Sequence, residues 1–386
     1  MPVDEARVRR AIGDVRDPSL RRSLAETGLL ADLAVHDDAL TVGIAAPESP
    51  WRQWPELTRR IKAAAAGAGI DPERVEVLGR PMNDDEVEVL YRVLKGPQAA
   101  HENAGQAGHG HAAGPSTSAP FMEPDAKTRV LGISSGKGGV GKSSVTVNLA
   151  ISLTKLGHEV AILDADVYGF SVPKMLGITD DPIAIERDLM IPPVAHDVAC
   201  ISMDYFVPED KALIWRGPML HKALEEFLNN VYWGEPDYLL FDMPPGTGDV
   251  ALSMAQYLPR AEMYVVTTPQ AAAQRVAKKS AQMARDPKIN LSLAGIIENM
   301  SWFTGDDGKR YELFGSGGGQ SLADDLGVPL IGQIPLVPEL REGGDIGVPV
   351  TIADPSSEAS LAFEGIAKWV EGHGPRRIVP KGLKLI

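Results

Sequence analysis

The stretch "GISSGKGGVGKSSVTVNLA", Gly132 to Ala150, decides the fold. Gly136 to Ser143 satisfies G-x-x-x-x-G-K-[ST] in full, the pattern of a phosphate-binding loop. Its glycines let backbone N–H groups turn inward around phosphate oxygens, and the following helix offers its positive end to the same anion. The run "RVLGISS" before it reads as a strand, and "KSSVTVNLAISLTKLG" after it reads as a helix stopped at Gly157. Ser135, Gly136, Lys137, Gly138, Gly139, Val140, Gly141, Lys142, Ser143 and Ser144 are therefore expected to wrap ATP. Lys142 is expected on the β/γ-phosphates and the Ser143 hydroxyl on Mg²⁺. A loop of this kind needs one lysine, and Lys137 is a second.

Outward from the loop, residues 129–372 alternate apolar runs with helical patterns. "EVAILDAD", "YLLFDMPP", "EMYVVTTP", "LAGIIENM" and "PLIGQIP" are the further strands. Strands this continuously apolar are buried on both faces, which predicts a doubly wound α/β domain with a mostly parallel sheet and ligands at the strands' C-terminal ends. Asp242 ends "YLLFD" and is placed to hold Mg²⁺. Pro244, Pro245 and Gly246 then turn the chain toward the γ-phosphate. Asp164 and Asp166 lie two apart at another strand end, so they share a face, and one of them is suited to orient an attacking water.

Residues 1–95 read as a small α+β domain in the order helix, strand, strand, helix, strand. Residues 96–128, "GPQAAHENAGQAGHGHAAGPSTSAPFMEPDAKT", lack apolar periodicity and read as a disordered tether; His101, His109 and His111 lie in it, too irregularly spaced for a zinc site. Residues 373–386 read as a flexible basic tail.

The chain has 386 residues, a net charge of −14 and no long Lys/Arg run, so neither nucleic acid nor an anionic membrane is an expected partner. No apolar run reaches the roughly 18 residues of a membrane span, and the charged N-terminus has no secretory signal character. Cys200 is the one cysteine, so no intrachain disulfide can form; a cytoplasmic location is expected.

"SSGKGGVGKSS" with "LDADVYG" and "DMPPGTGD" resembles the deviant Walker A ATPases, the group of MinD, ParA and the nitrogenase iron protein. "RGPML", "VYWGEPDYLLFDMPPGTGDVALS", "VTTPQ", "ENMS", "FGSGGG" and "GQIPL" are similar to the Mrp/ApbC family of iron–sulfur cluster carrier ATPases, over about 129–355. "DPSLRRSLAETGLL" resembles the PaaD-like domain often fused to that family. The resemblance implies a slow ATPase that works as a homodimer with ATP at its interface and passes clusters from assembly proteins to apoprotein clients. It implies that Lys137 reaches across to the partner's nucleotide, that Asp166 positions the water, and that Asn299 reads the adenine edge. Lys137, Lys142 and Asp166 are then the catalytic residues.

The chain departs from that family in its thiolates. Relatives carry a C-x-x-C pair shortly after "ENMS", but "ENMSWFTGDDGKRYELFGSGGG" has no cysteine, and Ser49 stands where many PaaD-like domains have one. No iron–sulfur ligand is assigned, and Cys200 sits in an apolar strand pattern as a buried thiol. Two roles follow: cluster carrier or assembly ATPase, or a nucleotide-switched dimer that acts on a protein partner without a cluster of its own.

Overall fold

The structure is a computed structural model. It describes residues 4–36, 39–48, 51–95, 121, 126–167, 169, 171–185, 189–206, 217–246, 249–287, 289 and 291–374. Ser49, the three linker histidines, Trp215, Arg216 and the tail from residue 375 lie outside these.

The strands in chain order are β1 (Leu30–His36), β2 (Ala39–Ala46), β3 (Val75–Pro81), β4 (Arg129–Ser135), β5 (Val160–Asp164), β6 (Ile183–Ile185), β7 (Leu189–Ile191), β8 (Val194–Ala195), β9 (Val198–Ser202), β10 (Tyr238–Asp242), β11 (Glu262–Thr267), β12 (Ser292–Glu298), β13 (Phe303–Thr304), β14 (Arg310–Tyr311) and β15 (Leu330–Gln333). Eight of them form one sheet in the order β15-β12-β11-β4-β10-β5-β9-β8. All its pairings are parallel except that of the edge strand β8 with β9.

Alternation along each strand feeds two cores. Leu239 and Phe241 of β10 face Leu224, Phe227 and Met254 on one side. Tyr238 and Leu240 face Val145, Leu149, Phe363 and Ile366 on the other. This period of two is why the apolar runs are continuous.

The N-terminal domain has a three-stranded sheet, β1-β2-β3, with β1 antiparallel and β3 parallel to β2. It contains two α-helices beyond the sequence expectation, the single turn Leu24–Thr27 and the longer Asp84–Lys95. Three acidic residues in the first turn of Asp84–Lys95 suit the helix dipole, and Leu90 and Leu94 are buried at helical spacing. The tether reading needs correcting at Phe121. Its ring is 5% exposed and meets Trp233 edge-on, with centroids 6.1 Å apart. An aromatic pair that removes this much apolar surface from water outweighs the local lack of pattern.

The N-terminal domain does not close its own core. Ile185, Leu189 and Ile191 of the β6–β7 hairpin, with Tyr232, are buried in one cluster with Leu20, Leu40, Val42, Ile44 and Leu57. Tyr232 Oη donates to the Leu20 carbonyl (3.0 Å) and accepts from Arg22 Nε (2.9 Å). Gln53 Nε2 donates to the Val194 carbonyl at 2.8 Å. Ile191→Ala should therefore loosen a domain to which it does not belong in sequence. A loss of about 2–5 kcal/mol is expected for truncating so buried a side chain. Chemical denaturation measures it, and hydrogen exchange should show reduced protection of the β2 amides.

Candidate functional site

The strand order β11-β4-β10-β5 brings the loop after β4 beside the ends of β10 and β5, where Asp242, Asp164 and Asp166 stand. Gly141 takes the left-handed conformation (φ 82°) that turns the loop into the helix Lys142–Lys155. At Gly136 the reason for glycine is contact. A Cβ there would lie 2.2 Å from the Ala277 nitrogen on the helix Ala271–Ala284. The Asp242 end of β10 is tied to the loop as well: Gly246 N–H donates to the Ser135 carbonyl at 2.8 Å.

Lys142 is buried among carboxylates. Its Nζ donates to Asp242 Oδ2 at 2.5 Å and lies 3.5 Å from Asp166 Oδ2. Burial alone would push its pKa down; Asp242 and Asp166 outweigh that and hold it above the ordinary lysine value. Ser143 Oγ donates to the same Asp242 oxygen at 2.7 Å, and Thr146 Oγ1 donates to Oδ1 at 2.5 Å. Thr146 was not anticipated. It lies one turn beyond Lys142 on the same helix face, a spacing visible in the sequence.

Asp164 is fully buried and accepts from Ser202 Oγ (3.0 Å), from the Asp166 N–H (3.2 Å) and from the Val172 N–H (3.4 Å). Burial, reinforced by the charge on Asp242 and opposed by Lys142, raises its carboxyl to about 7.

Asn299 is buried behind the loop. Its Nδ2 donates to the Val140 carbonyl at 2.9 Å, while its Oδ1 has no partner among the described residues. Lys137 is half-buried, and its Nζ donates to Gln270 Oε1 of its own chain at 3.3 Å. Among the described residues it has no carboxylate partner. Ser135 is buried, and Gly138 and Gly139 are exposed at the loop's tip. Val140 packs into the core below.

Cys200 is fully buried within β9, and burial pushes its thiol pKa well up. After Asn299, β13 and β14 form a short hairpin around Gly308. The return strand, Arg310–Tyr311, is two residues long. Beside it Glu298, Ser301, Arg310, Tyr311 and Gln333 line a cavity of about 470 Å³. No described group of His, Cys, Asp and Glu has the arrangement of a metal site. No helix among the described residues is long and apolar enough to cross a membrane.

Comparison with known proteins gives the family. The profile of the NUBPL iron-transfer P-loop NTPases matches residues 126–371, and that of an iron–sulfur cluster assembly protein family matches residues 5–78. An iron–sulfur cluster carrier protein of Mycobacterium tuberculosis is 40% identical over 98% of this chain and 96% of its own. One of Bacillus subtilis is 37% identical over 86% and 88%. Among solved structures, a nucleotide-binding protein from Archaeoglobus fulgidus in complex with ADP is 32% identical, with a TM-score of 0.53 over 61% of this chain and 93% of that one.

The Asp164 environment makes a pH prediction. The folded carboxyl keeps its proton to a higher pH than the unfolded one. The stabilisation it brings is complete below about pH 4 and is lost as pH rises through about 7. Urea denaturation of nucleotide-free protein should show that loss, and Asp164→Asn should flatten it.

Proposed function

The chain belongs to the family of iron-transfer P-loop NTPases, and on that premise we propose that it binds Mg²⁺–ATP, hydrolyses it slowly between two copies of itself, and uses the cycle to deliver iron–sulfur clusters to apoproteins. The observation that carries the nucleotide reading is the cluster of Lys142, Ser143, Thr146 and Asp242 beneath a glycine loop.

Ser143 Oγ and Asp242 are hard oxygen donors side by side, which fits Mg²⁺. When bound, the ion neutralises phosphate charge and draws electron density from the reacting phosphoryl group. The loop's amides and the start of the helix Lys142–Lys155 bind phosphate oxygens. Lys142 is held in its charged form and exchanges its carboxylate partner for phosphate. Asp166, close to Lys142 but not directly hydrogen-bonded to it, orients the water that attacks phosphorus as the bond to the leaving ADP oxygen breaks. Asn299 braces the loop through Val140; contact with adenine would require its buried Oδ1 to be uncovered.

Lys137 is the cation for a second copy's site. It has no counter-ion among the described residues and only a neutral amide partner, so it is released at little cost. An ammonium that arrives from outside stabilises charge only where that charge grows.

The cluster is cargo. A four-iron cluster takes four thiolates, and two copies of this chain supply two, both sealed in β9. The residues present do not fit a cluster held on the protein's own thiolates, so a partner supplies the ligands. The β13–β14 hairpin is the docking element, with Tyr311 exposed on it and Leu313 exposed just after it. The missing thiolates favour a second reading, a nucleotide switch with no part in cluster traffic. Full-length relatives named as cluster carriers favour the first.

Two experiments test the proposal. Lys137→Ala and Asp166→Ala proteins should each fail to release phosphate from ATP, while their mixture regains one working site per heterodimer. Heterodimers that form without rescue would remove the role across the interface. In anaerobic reconstitution, iron should stay at background while ATPase activity is intact. A full four-iron complement unaffected by Cys200→Ala would overturn the ligand assignment.

A further inference from the structure

The N-terminal domain contacts the ATPase sheet at a mechanically particular place. β9 is next to the edge, covered on its outer side only by β8, which is two residues long. The β8–β9 turn is made by His196 (φ 51°) and Asp197 (φ 61°), two non-glycine residues in the left-handed region. Such residues are held there by their surroundings, at a local cost.

Arg21 is part of what holds them. Its own backbone is in the same strained region (φ 54°). Its Nη2 donates to the Val160 carbonyl at 2.8 Å and to the Asp197 carbonyl at 2.9 Å. Val160 is the first residue of β5, and Asp197 immediately precedes β9. Val160 and Val198 are registered partners, so one nitrogen spans the first rung of the β5–β9 pair. Arg60 adds an ion pair to Asp197 at 3.6 Å.

The same pair ends at the candidate site's carboxylates. Asp164 and Ser202 are its last registered rung, roughly 13 Å from the first at 3.3 Å per residue. Ser202 Oγ holds Asp164, and Asp164 holds the Asp166 N–H. A slip or tilt of β9 relative to β5 would move Ser202, then Asp164, then the backbone that aims Asp166. The central strands β4 and β10 have longer neighbours on both sides. β9 has the clamp instead.

We propose that Arg21, in the N-terminal domain, is a positioning residue for ATP hydrolysis: it locks the start of the β5–β9 pair and so holds Asp164 and the Asp166 backbone at its far end. This rests on the hydrolysis reading above. The arrangement makes the N-terminal domain a lever on turnover, with a continuous path of hydrogen bonds and paired backbone between the two. Arg21 keeps this place at a cost. Burial pushes its guanidinium pKa down, and its Nη1 is buried with no partner among the described residues.

The test uses the full chain with Mg²⁺–ATP. In Arg21→Ala, kcat should fall about tenfold while nucleotide affinity by calorimetry stays within about twofold, a split that separates positioning from binding. Arg21→Lys should recover most of kcat, because both bonds come from a single nitrogen that an ammonium can replace. Gln53→Ala, which frees β8 and leaves the first β5–β9 rung intact, should keep kcat within about twofold. A folded Arg21→Ala protein with unchanged kcat overturns the proposal. So does a loss of kcat in Arg21→Ala that Arg21→Lys does not restore. Should the alanine variant not fold, the same two readings on Arg21→Gln decide. Absence of phosphate release by the unmutated protein would defeat the hydrolysis reading alone. The clamp then still requires faster amide exchange at Asp166 and Val172 in the folded Arg21 variant, and unchanged exchange overturns it.

Discussion

One ammonium among three carboxylates sets the terms for this protein. Lys142 contacts Asp242 and Asp166, with Asp164 behind them, all at the carboxyl ends of adjacent parallel strands. A buried cluster with more negative than positive charge is costly, because desolvation is only partly repaid by pairing. Positive charge brought among these carboxylates would lower that cost. Burial first, and then the neighbouring charge on Asp242, raise the Asp164 carboxyl to about 7. The sheet order is what imposes this cluster, since only β4 between β11 and β10, with β5 beyond, seats the loop over both acidic strand ends.

The second domain is joined to the same machinery by burial. Three isoleucine and leucine side chains of the β6–β7 hairpin and the ring of Tyr232 complete the N-terminal core, and hydrogen bonds from Arg21, Gln53 and Tyr232 fix the docking angle. An apolar core shared in this way is removed from water only while the domains stay together. The hairpin and β8 lie between Asp166 and β9 in the chain, so the segment that covers the N-terminal core is also the one that connects two parts of the candidate site.

Much of the site was legible because its chemistry is contiguous. The loop glycines, Lys142 and Ser143 stand together, and Asp242 is marked by the apolar run before it. Thr146 was within reach through helical spacing. Ser202 and Gln270 were not, since each matters only through a partner brought in by strand pairing or loop approach. The apolar periodicity located the parallel strands. The two-residue β8 and the β6–β7 hairpin were missed because so few residues carry no period. Phe121 was hidden for the opposite reason: a single aromatic in a polar stretch is indistinguishable from linker until Trp233 is seen beneath it.

The sequence alone determined the phosphate loop, the alternating α/β architecture, the small domain before it and the shortage of thiolates. Each of these depends on residue types at short spacing, where local backbone geometry or simple counting suffices. The tertiary structure alone decided that the N-terminal domain docks on β5, β8 and β9, that Asp164 faces Ser202, and that Arg21 reaches the first rung of that pair. Those contacts join residues as much as 176 positions apart. Such partners are selected by which surfaces can be buried together, a choice made by the whole folded chain and written in no single stretch of it.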